Sequence, residues 1–280
     1  MSRIASTFAR LGAENRAALI TFVEAFDPDQ ETSAALLKGM AARGADIIEI
    51  GMPFTDPMAD GPTIQQAGRR ALQAGATVAG TLALIRAFRS VDQTVPLVLM
   101  GYLNPILAYG IEKFAADAAA AGIDGVIVVD MPTEESDLLL PALQAHAIDL
   151  IRLVAPTTSD ERLPIVLRES SGFVYYVSIT GITGTRTASA EDLARDIPRI
   201  RRATALPIAV GFGVRTPDQA AIVARHADGA VVASALIDHL AKGLDSGGHA
   251  SPALIDAVLD DVAALAAAMR AARQINIGLG

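Results

Sequence analysis

Ile47-Ile48-Glu49-Ile50-Gly51-Met52-Pro53-Phe54-Thr55-Asp56-Pro57-Met58-Ala59-Asp60-Gly61-Pro62-Thr63-Ile64-Gln65 reads as one complete strand–loop–helix step. The apolar run ending at Ile50 is strand-like, and its side chains alternate between two faces, so Ile47 and Glu49 share one. A Pro- and Gly-rich loop follows. Gly61-Pro62 sets a turn, and Pro suits the first turn of the helix that begins near Thr63. The same step repeats along the chain.

Working outward, strands are predicted at Ala18–Glu24, Asp46–Ile50, Leu97–Met100, Gly125–Val129, Leu150–Val154, Phe173–Val177, Pro207–Val210 and Gly229–Val232. Helices are predicted at Gln30–Arg43, Thr63–Ala74, Val78–Ser90, Glu112–Ala121, Glu135–Ala145, Asp160–Ser170, Ala190–Ala203, Pro217–Arg225 and Ser251–Ala272, preceded by a short amphipathic helix over Met1–Leu11. Short apolar runs alternating with segments of helical period imply a parallel α/β fold. Two architectures satisfy that pattern, a closed (β/α)8 barrel and an open doubly wound sheet. The even spacing and single composition regime favour the barrel, with residues 1–280 as one domain. Gly247-Gly248 is then a loop before the last helix, and a single domain of this length is ordinary for such barrels.

Just over half of the 280 residues are apolar, Trp is absent and mean hydropathy is +0.38, so the core must be built from Ala, Val, Ile and Leu. With 23 basic against 31 acidic residues the net charge is −8. Arg69-Arg70 and Arg199 with Arg201-Arg202 are isolated pairs, not the basic stripe that a nucleic-acid surface needs. The absence of Cys removes disulfides and thiolate catalysis and fits a reducing compartment. No apolar run approaches the ~18 residues that span a bilayer, and the N-terminus lacks a signal-peptide core. These features predict a cytoplasmic protein that binds neither nucleic acid nor membrane. His146, His226, His239 and His249 have no metal-ligand spacing, so no metal is expected.

In a barrel, chemistry sits at the C-terminal ends of the strands. Glu49, on the inner face of an apolar strand, would be a partly desolvated carboxyl with a raised pKa, suited to proton transfer near neutral pH. A structural salt bridge is the rival reading. Asp60 is either a second reactive carboxylate or a helix cap. Gly211-Phe212-Gly213 lacks the third glycine of a dinucleotide fingerprint. Its glycines let backbone amides approach an anion, although a tight turn explains them as well. Ala233-Ser234 opens a short helix, whose N-terminus favours an anion. Loops after the seventh and eighth strands commonly form a barrel's phosphate site, which favours a phosphorylated substrate. Ser178–Thr187, with hydroxyl residues between glycines, suits a lid, with an ordinary surface loop as the rival reading.

The segment from Glu49 to Gln65 resembles the signature of the tryptophan synthase alpha chain family. Tyr102 with Asn104-Pro105, Asp130 with Pro132, Tyr175, Thr183-Gly184 and Gly211-Phe212-Gly213 extend the resemblance over nearly the whole chain. The resemblance implies cofactor-free cleavage of indole-3-glycerol phosphate to indole and glyceraldehyde 3-phosphate. It gives Glu49 the proton shuttling and Asp60 the indole N–H. It lines the indole pocket with Phe22, Met100, Ile127, Val129, Leu153, Tyr175 and Phe212, and adds Tyr102 and Gly211 to the substrate site. The phosphate would meet backbone amides of Gly184, Gly213, Ala233 and Ser234, and Thr183 would tie a closed lid to Asp60. It further implies a pyridoxal-phosphate-dependent beta chain as partner in an α2β2 tetramer, facing Pro53, Asp56 and Asn104. Other phosphate-binding barrels, such as indole-glycerol-phosphate synthases and phosphoribosyl isomerases, use Lys or Asp at strand ends. No strand-end Lys exists here, which argues against the synthase. A barrel subunit of little or no activity that stimulates a beta chain is the alternative of a different class.

Three positions depart from the family pattern. Glu24 and Phe26 stand where Thr and Gly are usual, and Ala233 replaces a Gly. Alternation places Phe22 and Glu24 on one face, so Glu24 could approach Glu49 and raise a pKa by like-charge repulsion. Phe26 leaves the path into the first barrel helix undetermined. If position 233 needs a positive φ, Ala costs roughly 1 kcal/mol. The expected consequence is weaker substrate binding with the chemistry retained, read as a raised KM at unchanged kcat relative to Ala233→Gly.

Overall fold

Residues 2–177, 189–211 and 213–273 are described by the computed structural model. The first strand, β1 (Ala18–Glu24), lies parallel to β2 (Ile47–Gly51), which pairs with β3 (Leu97–Gly101) and then β4 (Gly125–Val128). On its other side β1 pairs with β9 (Gly229–Val232), followed by β8 (Ile208–Gly211) and β7 (Val174–Val177). The fifth strand position is split. Its first half, β5 (Asp149–Leu150), pairs with β4, and its second, β6 (Arg152–Val154), pairs with β7. The sheet therefore begins and ends on two halves of one strand, parted at Ile151, and the cylinder closes there. This is the predicted barrel. The open sheet is excluded because, among the described residues, no strand edge is left unpaired except at that split.

Two apolar layers follow from the two-residue alternation. Ile20, Ile47, Val98, Ile127, Phe173, Tyr175, Ala209 and Val231 point inward and pack on one another. The intervening residues, such as Leu19, Ile48, Ile50, Leu99 and Val210, point outward beneath the helices. The N-terminal helix α1 (Arg3–Ala13) does not join that outer ring. Its Ile4, Phe8 and Leu11 pack on the inner layer, with the Phe8 and Phe173 rings 5.8 Å apart, so α1 plugs the N-terminal end of the barrel.

The helices of the first half are α2 (Gln30–Ala42), α3 (Pro62–Gln73), α4 (Val78–Arg89), α5 (Leu103–Tyr109) and α6 (Ile111–Ala121). Those of the second half are α7 (Leu140–Ala145), α8 (Leu163–Leu167), α9 (Ala190–Arg201), α10 (Pro217–His226), α11 (Ser234–Gly243) and α12 (Pro252–Ala271). Two predicted helices are shorter than expected. Pro141 and Pro164 each sit in a first turn, where a missing N–H costs nothing, so α7 and α8 start there. Residues Thr133–Leu138 form a separate 3-10 helix. Conversely α5 occupies a stretch read as loop. Its Leu103 amide donates to Asp130 Oδ1 at 2.8 Å, a cap supplied from beyond the next strand.

Phe26 resolves the path into α2. It adopts φ +70°, a left-handed conformation that disfavours any residue with a Cβ. Its ring is buried and so close to Gly80 that a Cβ there would lie 2.9 Å from Cζ. The helix itself starts on Asp29, whose side chain accepts from the Thr32 amide at 2.7 Å. Burial of the ring offsets the backbone strain. Phe26→Ala loses the ring and keeps the strain, whereas Phe26→Gly loses both. Denaturant unfolding should show both variants destabilised, with Phe26→Gly the milder by about 1 kcal/mol.

Candidate active site

The C-terminal mouth of the barrel is assembled from segments tied together by side chains. Thr63 at the start of α3 donates to Asp238 of α11 at 2.8 Å, and Arg215, after β8, pairs with the same carboxylate. Arg70 of α3 holds Asp27, after β1, through two bonds of 2.7 and 2.9 Å. Two loops are thereby fixed to helices that flank the mouth, and those helices to each other.

Between them lies a narrow cleft. Phe22, Met100, Tyr102 and Val129 line it, together with Glu24, Asp60, Phe54 and Ile64. Phe22, Met100 and Ala233 pack into one apolar cluster with Ile64 and Ile237. Three predicted pocket residues, from β1, from β3 and from just beyond β4, are thus brought together, and Ala233, expected at the phosphate, joins them from just after β9. Ile127 and Tyr175 are buried in the inner layer, and Leu153 packs against it. Gly211 makes room for Tyr175, because a Cβ there would overlap the phenol end of the ring. Gly213 adopts φ +85°, a conformation that glycine accepts freely. Ser234 is the first residue of α11, and the amides of Ser234 and Ala235 meet no acceptor among the described residues. Ala233 has φ −120°, so the left-handed strain considered for it does not arise. Thr183, Gly184 and Phe212 lie outside the described residues, as does most of the predicted lid.

Glu49 faces the barrel interior, level with Phe22 in the β1–β2 register. It is fully buried, not partly desolvated as expected, and lies deeper than the cleft. Neither carboxyl oxygen has a hydrogen-bond partner in the described structure, which excludes a structural salt bridge there. Burial alone pushes its pKa up to about 8. Tyr175 is its electrostatic neighbour: burial, and then the charge on Glu49, hold the phenol well above its ordinary range.

Asp60 lines the cleft, half-buried. Burial raises its pKa to about 6, opposed by a hydrogen bond from Tyr102. Asp60 caps no helix: α3 starts after Gly61 without a side-chain cap. The Tyr102 hydroxyl also accepts the Ala59 amide at 3.0 Å, and its ring stands 5.5 Å from that of Phe54. Gln65 Nε2 donates to the Asp60 carbonyl at 2.9 Å. These contacts hold the loop against β3 and α3.

The expected repulsion between Glu24 and Glu49 is not what the geometry produces. Glu24 stands two residues nearer the mouth, opposite Gly51, and the carboxylates that face it are Asp60 and Asp27. Strand alternation predicted its face correctly. It carried no information about which loop would fold over that face. Met52, Phe54 and Pro57 of the loop and Ile64 of α3 also line the cleft and were not predicted, since nothing in an apolar residue by itself distinguishes pocket from core.

Fold and mouth together define a (β/α)8-barrel enzyme with buried carboxyl groups beside an apolar cleft. Residues 8–267 match the family model described as tryptophan synthase alpha chain. A tryptophan synthase alpha chain from Acidiphilium cryptum (strain JF-5) is 80% identical over 98% of this chain and 99% of its own. One from Granulibacter bethesdensis is 64% identical over 98% of each. Among solved structures, the alpha subunit of tryptophan synthase from Legionella pneumophila str. Paris superposes with a TM-score of 0.88 at 36% identity, covering 96% of this chain and 98% of that one. A tryptophan synthase structure from Mycobacterium tuberculosis gives 0.85 at 38% identity, covering 96% and 98%. The chain belongs to the tryptophan synthase alpha chain family, a lyase family that cleaves indole-3-glycerol phosphate in tryptophan biosynthesis.

An ionisable group whose folded pKa is raised contributes stability at low pH that is lost as pH rises through the folded value. For Glu49 that window runs from its ordinary 4.5 to about 8. The stability of the wild type, measured against Glu49→Gln by denaturant unfolding, should therefore fall by a few kcal/mol between the ends of this window. A pH-independent difference would show that Glu49 is ionised at no such cost.

Proposed function

We propose that Glu49 is the acid–base of indole release and Asp60 the anion that receives the indole N–H. The observation carrying this is a fully buried carboxyl without a partner among the described residues, beside a cleft whose mouth carries a second carboxyl. Protonated Glu49 gives its proton to the ring carbon that bears the side chain, converting indole into a leaving group. Positive charge spreads to the ring nitrogen, and the Asp60 carboxylate stabilises it. Glu49, now a carboxylate, takes the proton of the hydroxyl on the carbon joined to the ring. The carbon–carbon bond then breaks, leaving an aldehyde and free indole, and Glu49 is restored. The opposed requirements are met by environment: the deeper carboxyl keeps its proton near neutral pH, and the shallower one loses it.

Phe22, Met100, Ile127, Val129, Leu153, Tyr175 and Phe212 would enclose the ring, with Tyr102 orienting Asp60. Gly211 would leave space for Tyr175. The phosphate would be met by amides of Gly184, Gly213, Ala233 and Ser234, with Thr183 closing over Asp60. The open amides at the start of α11 support the last part of that reading.

The family works with a beta subunit. For this chain we assign a pyridoxal-phosphate-dependent beta chain in an α2β2 tetramer, docked over the loop of Pro53 and Asp56 and over Asn104. Met58 is 83% exposed and Leu107 of α5 48%, which leaves apolar surface uncovered beside that loop. Residues 1–280 would act as one domain in the cytoplasm. No single helix among the described residues is long and apolar enough to cross a membrane.

Glu49→Gln should lower kcat for indole release by ~10² to 10⁴. The same variant should still stimulate a beta chain, because its substitution lies inside the barrel. Wild-type kcat/KM should rise as Asp60 ionises near pH 6 and fall as Glu49 loses its proton near pH 8. Near-normal turnover by Glu49→Gln would overturn the assignment and leave the stimulating subunit as the better description.

A further inference from the structure

The mouth holds one more carboxyl than the reaction above uses. Glu24, the last residue of β1, is 6% exposed and lines the same cleft as Asp60. Its space exists because residue 51 is glycine: a Cβ there would overlap Glu24 Oε2 and lie 2.6 Å from the Phe22 ring. No hydrogen bond to its carboxyl is formed among the described residues.

Its surroundings explain which form it takes. On the loop before α3 the charged group facing it is Asp60, and on the loop after β1 it is Asp27. Arg70 of α3, the cation that meets Asp27, is committed to it through both of its bonds. From α2, Leu36 and Met40 approach, from α11 Leu236 and Ile237, and from α12 Val258, all apolar. An ionised Glu24 would therefore stand desolvated among carboxylates, with no uncommitted cation beside it among the described residues. Burial first, then Asp60 and Asp27, hold it well above the usual carboxylate range. Asp60, less enclosed and aided by Tyr102, loses its proton first. Of the two carboxyls, Glu24 is therefore the one whose surroundings favour keeping a proton.

We propose that Glu24 is a positioning residue for Asp60, donating its O–H to the Asp60 carboxylate in the working enzyme so that Asp60 stays ionised and aimed at the ring nitrogen. A neutral acid beside a carboxylate is a strong hydrogen-bond donor. It adds no negative charge to a site that must release a neutral ring. The inference rests on Asp60 being the group that meets the indole N–H.

The test is the pH dependence of kcat/KM for indole release by the full chain carrying Glu24→Gln, Glu24→Thr or Glu24→Leu. Gln has the length and a donor and should leave the acidic limb where it is. Thr is too short, and Leu has no donor. Either should move that limb upward, losing about tenfold at pH 5.5 and less than twofold at pH 8. Leu, close to Glu in volume, keeps the test available if Thr unfolds, which circular dichroism reveals. Profiles that overlay the wild type overturn the proposal. So does an equal loss at every pH for all three variants, which marks a packing role. Asp60→Asn separates this from the underlying reading: full activity in that variant removes the role of Asp60 itself. Impaired Asp60→Asn with unmoved Glu24 profiles removes only the proposal.

Discussion

An ionisable side chain placed on the inner face of a closed parallel barrel cannot reach water, and Glu49 is in that position. Ile47 and Glu49 share a face of β2, and the barrel turns that face inward. Desolvation then does the chemical work of raising the carboxyl to a value at which it can both give and take a proton near neutrality. A salt bridge or backbone donor at Glu49 would have cancelled the effect, and neither is present in the described structure. Phe22 beside it and Tyr175 across the interior enclose it in buried aromatic side chains.

The mouth solves a different problem, that of holding several loops in register over one cleft. It does so with polar contacts between segments distant in sequence. Asp238 gathers α3, α11 and the loop after β8, Asp27 joins the first loop to α3, and Asp130 caps α5. Each contact is paired, so burying part of it carries little penalty. Glu24 stands apart within this network because its neighbours share its sign, and protonation is the remaining way to lower its energy.

The positions that depart from the family pattern are handled by local physics. Phe26 accepts a left-handed backbone and offsets the cost by burying its ring against Gly80. Ala233 adopts a negative φ and joins the apolar cluster of Phe22 and Met100. Glu24 is accommodated by Gly51. None of these substitutions disturbs the barrel, because each is absorbed by a contact within one or two neighbouring elements.

Periodicity and punctuation were sufficient for the strand–helix alternation, the inward face of Glu49 and the helix beginning at the Gly61-Pro62 turn. Those are local properties, carried by side-chain alternation and by the fixed φ of proline. The family signature added the expected roles of residues that no pattern distinguishes, such as Met100 or Val129. What depended on tertiary contact was not legible: α5, capped by Asp130 from beyond another strand, the split of the fifth strand at Ile151, and α1 serving as a plug. The same limit applied to Glu24. Its face was set by the strand, but its electrostatic partner was decided by the loop that folds over the mouth. A carboxyl's protonation depends on every charge and dipole that closes around it in three dimensions.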